Sequence, residues 1–172
     1  MVSKSGSLIF SLLQAVLVCV RRPPLRKLAG LTPRLVALLA AYSSFALVLL
    51  PLAPPSAVRA WISRLVFFTG TTGAIVTLLF LGRSFAILPQ ARGPVTVGPY
   101  RCCRQPLYLC EQLSLFGVCL QFAQPWALMI AGAGCLLQFP RMHFEEQVLA
   151  ETFPDYRAYR KNTALIIPGL RI

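Results

Sequence analysis

Residues 106–140 read PLYLCEQLSLFGVCLQFAQPWALMIAGAGCLLQFP, a stretch of 35 residues in which Glu111 is the one charged side chain. A single helix of that length would be about 52 Å long, whereas the hydrocarbon core of a bilayer is about 30 Å thick. The stretch is therefore too long for one crossing. Gln121, Gln124 and Pro125 interrupt it near the middle, where a polar turn suits the far interface and proline suits the start of a second helix. We expect two short passes, residues 107–122 and 126–139, that form a helical hairpin.

The composition of the chain is typical of an integral membrane protein. Of its 172 residues, 56% are hydrophobic and only 13% are charged. The apolar runs 35–53 and 61–81 are each long enough for a helical span of about 20 residues. Residues 7–20 are shorter, which leaves open a short tilted helix, a signal-peptide core or an interfacial helix. No small-x-small cleavage site follows and the residues RRPP at 21–24 end the run abruptly, so a retained first helix is favoured.

These segments predict an all-α fold, an integral membrane helical bundle of about five transmembrane segments. Residues 1–172 are expected to form a single membrane domain. Residues 1–82 supply the N-terminal helices of this domain. Residues 83–172 supply its second half, with the hairpin at 106–140 and a short cytoplasmic helical tail at 141–172.

The basic residues give an independent test of the segment count, because Lys and Arg gather in short cytoplasmic loops. With five segments, 14 of the 17 basic residues fall on one side, in residues 21–34, 82–105 and 141–172. The other three, Lys4, Arg59 and Arg64, lie on or near the opposite side. This asymmetry predicts an outside N-terminus and places residues 98–108 and 141–162 on the cytoplasmic side of an inner or plasma membrane. The net charge of +12 then reflects topology and anionic lipid headgroups, which disfavours a nucleic-acid partner.

The six cysteines and the single histidine do not have the spacing of a metal site. Four of the cysteines lie in apolar runs, where a thiol packs as a small hydrophobic group. Cys102 and Cys103 are adjacent and cytoplasmic under this topology. Neither a structural disulfide nor a zinc site is predicted.

Two polar boxes flank the hairpin. The first box reads GPYRCCRQPLY at residues 98–108, and the second reads RMHFEEQVLAETFPDYRAYRKN at residues 141–162. Pro106 suits the first position of the helix that follows the first box. From charge alone, Arg101 and Arg104 are explained as cytoplasmic anchors for lipid phosphate.

The two boxes resemble the cofactor-binding half of the isoprenylcysteine carboxyl methyltransferase and phospholipid methyltransferase superfamily. The pattern there is roughly GPYxxxRHPxY, a helical hairpin, and then an arginine followed by EExxL and a Phe, Tyr, Tyr tail. The resemblance covers about residues 81–168, half of the chain. It implies that S-adenosylmethionine binds at the boxes and that Arg104 is a substrate-orienting or catalytic group. The cofactor-binding residues that it implies are Gly98, Tyr100, Gln105, Pro106, Tyr108, Arg141, Glu145 and Glu146.

Gln105 stands where the family pattern has histidine. Glutamine forms hydrogen bonds but does not titrate, so no acid or base role is expected at this position. Methyl transfer is still compatible with glutamine. A sulfonium already has a good leaving group, and the reaction mainly needs the two reacting atoms aligned in a water-poor site.

Glu111 lies three residues after Tyr108, on the same side of the predicted helix and about 7 Å inside the segment. An ionisable group within a membrane helix is a functional-site hypothesis by default, so Glu111 is a second candidate catalytic residue. The alternative is a carboxylate that pairs with Arg104 or a tail arginine and only stabilises the hairpin.

In the second box, Arg141 and Glu145 are spaced i, i+4 and share one helix face. A solvated helix end explains this spacing without a ligand, whereas the family resemblance implies that the carboxylates bind the ribose or amino-acid part of the cofactor. An aromatic stripe follows, made of Leu149, Phe153, Tyr156 and Tyr159. It forms either an interfacial belt or a face across the cytoplasmic mouth. His143 lies off the Arg141 face and is interpreted as an interfacial residue rather than a general base.

The sequence is thus interpreted as an S-adenosylmethionine-dependent methyltransferase whose lipophilic acceptor arrives laterally from the bilayer near Arg104, Tyr108 and Glu111. The acceptor is open among a lipid amine, a lipid or prenyl-type carboxylate and an apolar thiol. The expected partners are membrane lipids, with no nucleic acid and no metal. The alternative from another class is a non-catalytic membrane scaffold or lipid-binding relative. A transporter is disfavoured, because no pair of interrupted helices recurs in the two halves.

The topology is measurable with reporters fused after Ile172. Five segments predict an inactive alkaline phosphatase fusion and a bright fluorescent fusion, because the C-terminus is then cytoplasmic. An active phosphatase with a dark fluorescent partner would remove the hairpin or the first helix from this topology.

Overall fold

The computed structural model describes residues 2–122 and 124–167 and is predominantly helical over them, as the sequence predicts. Ala123 in the predicted turn, and residues 168–172 at the end of the predicted tail, lie outside the described residues. The elements are, in chain order, α1 (Val2–Val20), β1 (Arg26–Lys27), α2 (Thr32–Tyr42), a 3-10 helix (Ser43–Leu49), α3 (Ala57–Leu81), a 3-10 helix (Gly82–Ser84), β2 (Gln90–Ala91), a 3-10 helix (Gly98–Arg101), α4 (Pro106–Cys119), α5 (Trp126–Thr152) and α6 (Pro154–Asn162).

Two helical segments of the described chain are long and apolar enough to cross a membrane. They are Thr32–Leu49 and Ala57–Ser84, which overlap the predicted spans 35–53 and 61–81. A shorter apolar helix covers Ser11–Val20, within the first predicted segment. The chain is therefore a helical protein with two candidate membrane spans, and the count of five remains a prediction.

The first of these spans is not a single α-helix. It changes to 3-10 geometry at Ser43, whose Oγ donates a hydrogen bond to the Ala40 carbonyl at 3.1 Å. Such bonds from serine to the preceding turn compete with the regular helical ladder. By contrast α3 is continuous and begins at a serine cap, where Ser56 Oγ accepts a bond from the Arg59 N–H at 3.4 Å.

The helical break between α4 and α5 lies where the sequence predicts a turn, since α4 ends at Cys119 and α5 begins at Trp126. Pro106 is the first residue of α4, as predicted. Beyond residue 139, α5 continues through Pro140 to Thr152 and so carries the first part of the second box. The two membrane passes themselves remain a prediction.

The helix ends gather at two poles. At one pole, which holds both boxes and is called the box pole below, the Arg22 N–H donates to the Arg83 carbonyl at 3.0 Å, and β1 pairs with β2 in antiparallel fashion. At the far pole the Ala53 N–H donates to the Gln121 carbonyl at 2.9 Å, and the Gln121 side chain donates to Ser63 Oγ at 2.8 Å. Both poles are therefore tied by hydrogen bonds between different loops and helices.

The closest helix packing is between α3 and α4, and glycine makes it possible. A Cβ added at Gly117 would lie only 2.6 Å from the backbone N of Phe67. Ser63 Oγ donates a hydrogen bond to the Gly117 carbonyl at 2.8 Å in the same contact. Small residues and interhelical hydrogen bonds are the means by which membrane helices associate.

This packing predicts that Gly117→Ala destabilises the protein. The added methyl group meets backbone atoms of Phe67 and Ser63, and such overpacking typically costs about 1–3 kcal/mol. Gly132→Ala is the matched control, because nothing lies within 4 Å of a Cβ at Gly132 and alanine favours a helix. Thermal unfolding in detergent should show a lower midpoint for Gly117→Ala and an equal or higher one for Gly132→Ala. Equal midpoints for both variants would contradict the packing.

Candidate functional site

The first box enters the site through a turn that requires glycine. Its 3-10 helix begins at Gly98, whose φ of +60° lies in the left-handed region. A Cβ at Gly98 would lie 2.5 Å from a ring carbon of Phe80 in α3. Gly98 therefore lets the first box pack directly against α3.

The tail docks on the first box through the main chain. The N–H groups of Arg104 and Gln105 donate to the carbonyls of Ala164 and Leu165 at 2.8 and 3.0 Å. Farther back, the Tyr159 hydroxyl donates to the carbonyl of Tyr100. The first N–H groups at a helix start lack partners within the helix, and here the tail supplies one for Gln105, which immediately precedes α4. The two boxes thus form one structural unit.

A buried ion pair joins the boxes. Arg104 Nε lies 3.1 Å from Glu146 Oε1, with side chains 3% and 5% exposed, and Arg160 Nε lies 3.3 Å from Glu146 Oε2. Burial raises the pKa of Glu146, and the charges of Arg104 and Arg160 oppose that rise. The Arg104 contact lacks hydrogen-bond geometry, and Arg104 Nη1 has no hydrogen-bond partner among the described residues. Arg104 is thus buried in the site, unlike the exposed Arg101, and keeps donors for a ligand.

A second cluster surrounds Tyr108 of α4. The Tyr108 hydroxyl donates to Glu145 Oε1 at 2.6 Å, and the Arg141 guanidinium lies 4.8 Å from the centroid of the Tyr108 ring. Arg141 Nε lies 3.4 Å from Glu145 Oε1, at the predicted i, i+4 spacing. Arg141 Nη2 also donates to the Ile87 carbonyl at 3.2 Å. This end of α5 is consequently joined to α4 by polar contacts and is not a solvated helix end.

Glu111 and Gln105 have polar groups that remain accessible to a ligand. Glu111 is half-buried, accepts a hydrogen bond from Gln14 Nε2 at 3.5 Å and forms no ion pair with another described residue. The alternative pairing with Arg104 or a tail arginine is therefore not observed within the described chain. Gln105 is 8% exposed, and its side chain does not cap α4.

These groups meet at a cavity of about 650 Å³, a volume typical of small-molecule sites. The predicted site residues that line it are Tyr100, Arg104, Gln105, Tyr108, Glu111, Arg141 and Glu145. Three predicted residues do not line it: Gly98 and Pro106 shape the backbone, and Glu146 contacts Arg104 instead.

The wall changes character along the cavity. The polar groups above lie at the box pole. Toward the far pole the wall is largely apolar and includes Phe45, Val48, Phe67, Leu115, Val118 and Phe122. Leu107 and Val118 of α4 both line the cavity, and a helix rises about 16 Å between those positions. The cavity is therefore amphipathic and long enough for an extended apolar chain.

Three members of the aromatic stripe, Leu149, Tyr156 and Tyr159, also line the cavity, whereas Phe153 does not. Burial raises the pKa of Tyr159 to about 12 and raises that of Tyr156 as well, so both hydroxyls stay neutral at pH 7. This part of the stripe therefore faces the cavity rather than forming only an interfacial belt. His143 is exposed and does not line the cavity.

Arg92 is a lining residue that the sequence reasoning missed, because it lies outside both boxes and counts there only as a basic loop residue. It is 6% exposed, and its Nη2 donates to Gln90 Oε1 at 2.6 Å. Gln14 and Gln138 were missed in the same way, since no motif includes them. These positions become visible only when α1, the loop before α4, and α5 are assembled.

The described part of the chain has no group of three or more His, Cys, Asp or Glu side chains placed to hold a metal ion. All six cysteines are free thiols. Cys119 is fully buried among apolar side chains, and its thiol donates a hydrogen bond to the Ala127 carbonyl at 3.6 Å.

Comparison with known proteins places this geometry in context. The family model for phospholipid methyltransferases matches residues 58–156, more than half of the chain. The cobalt-zinc-cadmium resistance protein CzcN of Cupriavidus metallidurans is 29% identical over 117 residues, which cover 65% of this chain and 53% of CzcN. The nickel-cobalt-cadmium resistance protein NccN of Alcaligenes xylosoxydans xylosoxydans is 28% identical, with 65% and 54% covered. The chain thus spans about half the length of these curated relatives.

The two carboxylates Glu146 and Glu151 allow a matched test of the buried ion pair. Glu146→Gln leaves Arg104 buried without a charged partner, and breaking such a pair typically costs about 3–5 kcal/mol. Glu151→Gln removes the same charge from a pair with the half-exposed Arg26, where the cost is about 0–1 kcal/mol. We expect a clearly lower unfolding midpoint in detergent for Glu146→Gln alone. A similar midpoint for the two variants would show that the buried pair does not stabilise the fold.

Proposed function

The chain belongs to the phospholipid methyltransferase family, and we propose that it transfers a methyl group from S-adenosylmethionine to a lipophilic acceptor at the membrane. The observation that carries this proposal is the amphipathic cavity at which both boxes meet. Charged and amide side chains line its box pole, and apolar side chains line the rest. Such a wall suits a polar cofactor and a lipophilic acceptor in one site.

The residues present fit S-adenosylmethionine. Its carboxylate matches the guanidinium of Arg104, whose Nη1 is buried without a partner among the described residues. Its amino and hydroxyl groups match the Glu145 carboxylate and the amide of Gln105. When bound, this cofactor supplies the methyl group on a positively charged sulfur.

The protein's own contribution in this proposal is binding, alignment and exclusion of water. Arg104 and Glu111 are the proposed catalytic residues: Arg104 orients the reactants, and Glu111 faces the acceptor from within α4. Tyr100, Tyr108, Arg141 and Glu145 are proposed to hold the cofactor together with Gln105. Gln105 donates and accepts hydrogen bonds without titrating, so no proton passes through it. Catalysis then depends on holding the two reacting atoms in line in a site that excludes water.

The other three residues predicted for the cofactor act indirectly in this proposal. Gly98 and Pro106 set the backbone of the first box, at a left-handed turn and at a helix start. Glu146 positions Arg104 through their ion pair, because it does not line the cavity.

We further propose the five-segment topology, with the cytoplasmic site in an inner or plasma membrane. The separation of helix ends into two poles supports it. Two crossings separate the loop between α1 and α2 from the first box and two more separate the boxes, so all three lie on one side. The basic residues of residues 21–34 and 82–105 belong to that pole, as the positive-inside rule requires.

The acceptor classes remain a lipid amine, a lipid or prenyl-type carboxylate and an apolar thiol, and the proposed partners are membrane lipids. The rival class is a non-catalytic membrane scaffold or lipid-binding relative. Cofactor binding separates the enzyme from this rival.

The function is tested by isothermal titration of detergent-purified protein with S-adenosylhomocysteine, followed by labelled-methyl transfer to a total lipid extract. We expect binding and transfer by the wild type. Gln105→His should leave cofactor affinity within several-fold, because position 105 only forms hydrogen bonds. Arg104→Lys keeps the charge beside Glu146 but loses the planar fork, so transfer should fall while the fold is retained.

Two results would contradict this proposal. A wild type that does not bind S-adenosylhomocysteine would favour the scaffold. A wild type that is inert toward all lipid acceptors, but gains transfer as Gln105→His, would identify the natural chain as non-catalytic and give histidine a chemical role at that position.

A further inference from the structure

Arg92 is a buried cation without a matching anion. It is 6% exposed and forms no ion pair with another described residue. Its Nη2 is held by Gln90, but its Nε has no hydrogen-bond partner among the described residues. A buried guanidinium is costly unless its charge and its donors are matched. The cavity that Arg92 lines is the obvious place for the missing partner.

The pairing of β1 with β2 fixes the position of Arg92. Gln90 and Ala91 form β2, which pairs with β1, and the Leu25 N–H donates to the Ala91 carbonyl at 2.8 Å. These bonds tie the loop before α4 to the loop after α1. Arg92 follows the strand directly, so its backbone is fixed at the cavity wall.

Other positive charges lie beside Arg92. Arg22 Nη1 lies 3.8 Å from the position that a Cβ on Gly93 would occupy. Burial, followed by the nearby charge of Arg21, lowers the pKa of Arg92. Arg22 thus lies near the residue that follows Arg92, and the charge of Arg21 is close enough to act on Arg92. Arg26, the next arginine along the chain, pairs with Glu151 instead. This positive field favours an oxyanion at the cavity wall.

We propose that Arg92 forms an anion subsite that binds the phosphate of an amphiphilic ligand, whose hydrocarbon part occupies the apolar end of the cavity. The fork of an arginine matches phosphate oxygens, and the largely apolar wall toward the far pole suits the hydrocarbon part. Arg104 pairs with Glu146 and is proposed above to bind the carboxylate of the cofactor. The subsite rests on the proposed function only in taking the amphiphile to be the methyl acceptor.

Short-chain lipids allow a direct test on the full chain in uncharged detergent. The probes are dihexanoyl phosphatidylethanolamine, dihexanoylglycerol as the same chains without phosphate, and inorganic phosphate. Arg92→Gln should weaken binding of the phospholipid by about 10-fold to 150-fold, the usual worth of a hydrogen bond to a charged group. Its affinity for dihexanoylglycerol should not change. Arg64→Gln, at an exposed arginine of α3 that does not line the cavity, is the matched control and should bind like wild type.

Three outcomes would overturn the subsite. Unchanged phospholipid affinity in Arg92→Gln would mean that Arg92 touches no ligand. Inorganic phosphate that binds as tightly as the phospholipid would identify free phosphate as the ligand. Loss of S-adenosylhomocysteine affinity, with phospholipid affinity kept, would assign Arg92 to the cofactor carboxylate.

The same measurements separate the subsite from the enzyme. If the wild type fails to bind S-adenosylhomocysteine while phospholipid binding still depends on Arg92, the proposed function fails and the subsite stands. If Arg92→Gln does not fold, Arg92→Lys decides: it keeps the charge without the fork, so a several-fold loss of phospholipid affinity supports the subsite and wild-type affinity overturns it.

Discussion

The ion pair between Arg104 and Glu146 is the contact on which the polar end of the cavity depends. Both side chains are almost completely buried, and burying two charges is tolerated only when they remain paired. The start of α4 and the extension of α5 must therefore stay together. Arg160 of α6 pairs with the same carboxylate, and two carbonyls of the tail accept hydrogen bonds from N–H groups of the first box. The paired charges and the main-chain hydrogen bonds thus join α4, α5 and α6 at this end of the molecule.

The packing of α3, α4 and α5 holds the two boxes rigidly in place. α5 is one helix that passes from the far pole, at Trp126, to the cross-linked residues of the second box. α4 packs on α3 through Gly117 at a distance that allows no side chain between the backbones. In the proposed reaction, the reacting groups would be aligned by α4 and α5, which each reach from the apolar end of the cavity to its polar end. A site that works by alignment needs this kind of support, because small displacements of reacting groups are costly.

The features that the sequence predicted correctly depend on local rules, such as segment length, proline position and helix spacing. The length of the apolar run at 106–140 predicted a break, which lies between Cys119 and Trp126, and Pro106 was correctly taken as a helix start. The i, i+4 spacing of Arg141 and Glu145 also predicted their contact. The change to 3-10 geometry at Ser43 was not predicted, because the apolar run 35–53 contains no helix-breaking residue at that position. The pairing of Glu146 with Arg104 was not predicted either, since helix spacing says nothing about contacts across 42 positions of sequence.

The count of basic residues shows most clearly what the sequence alone does not reveal, namely which arginines are buried. In the count of basic residues, Arg92, Arg101 and Arg104 are equivalent, because each lies in the same predicted cytoplasmic loop. Burial separates them: Arg101 is exposed, as a topology signal should be, while Arg92 and Arg104 are each at most 6% exposed and line the cavity. An arginine that only orients a loop has no reason to leave water, since desolvation opposes its charge. A buried arginine therefore needs a carboxylate or a ligand as its partner inside the molecule. Arg104 has Glu146 as this partner, whereas Arg92 forms no ion pair with a described carboxylate.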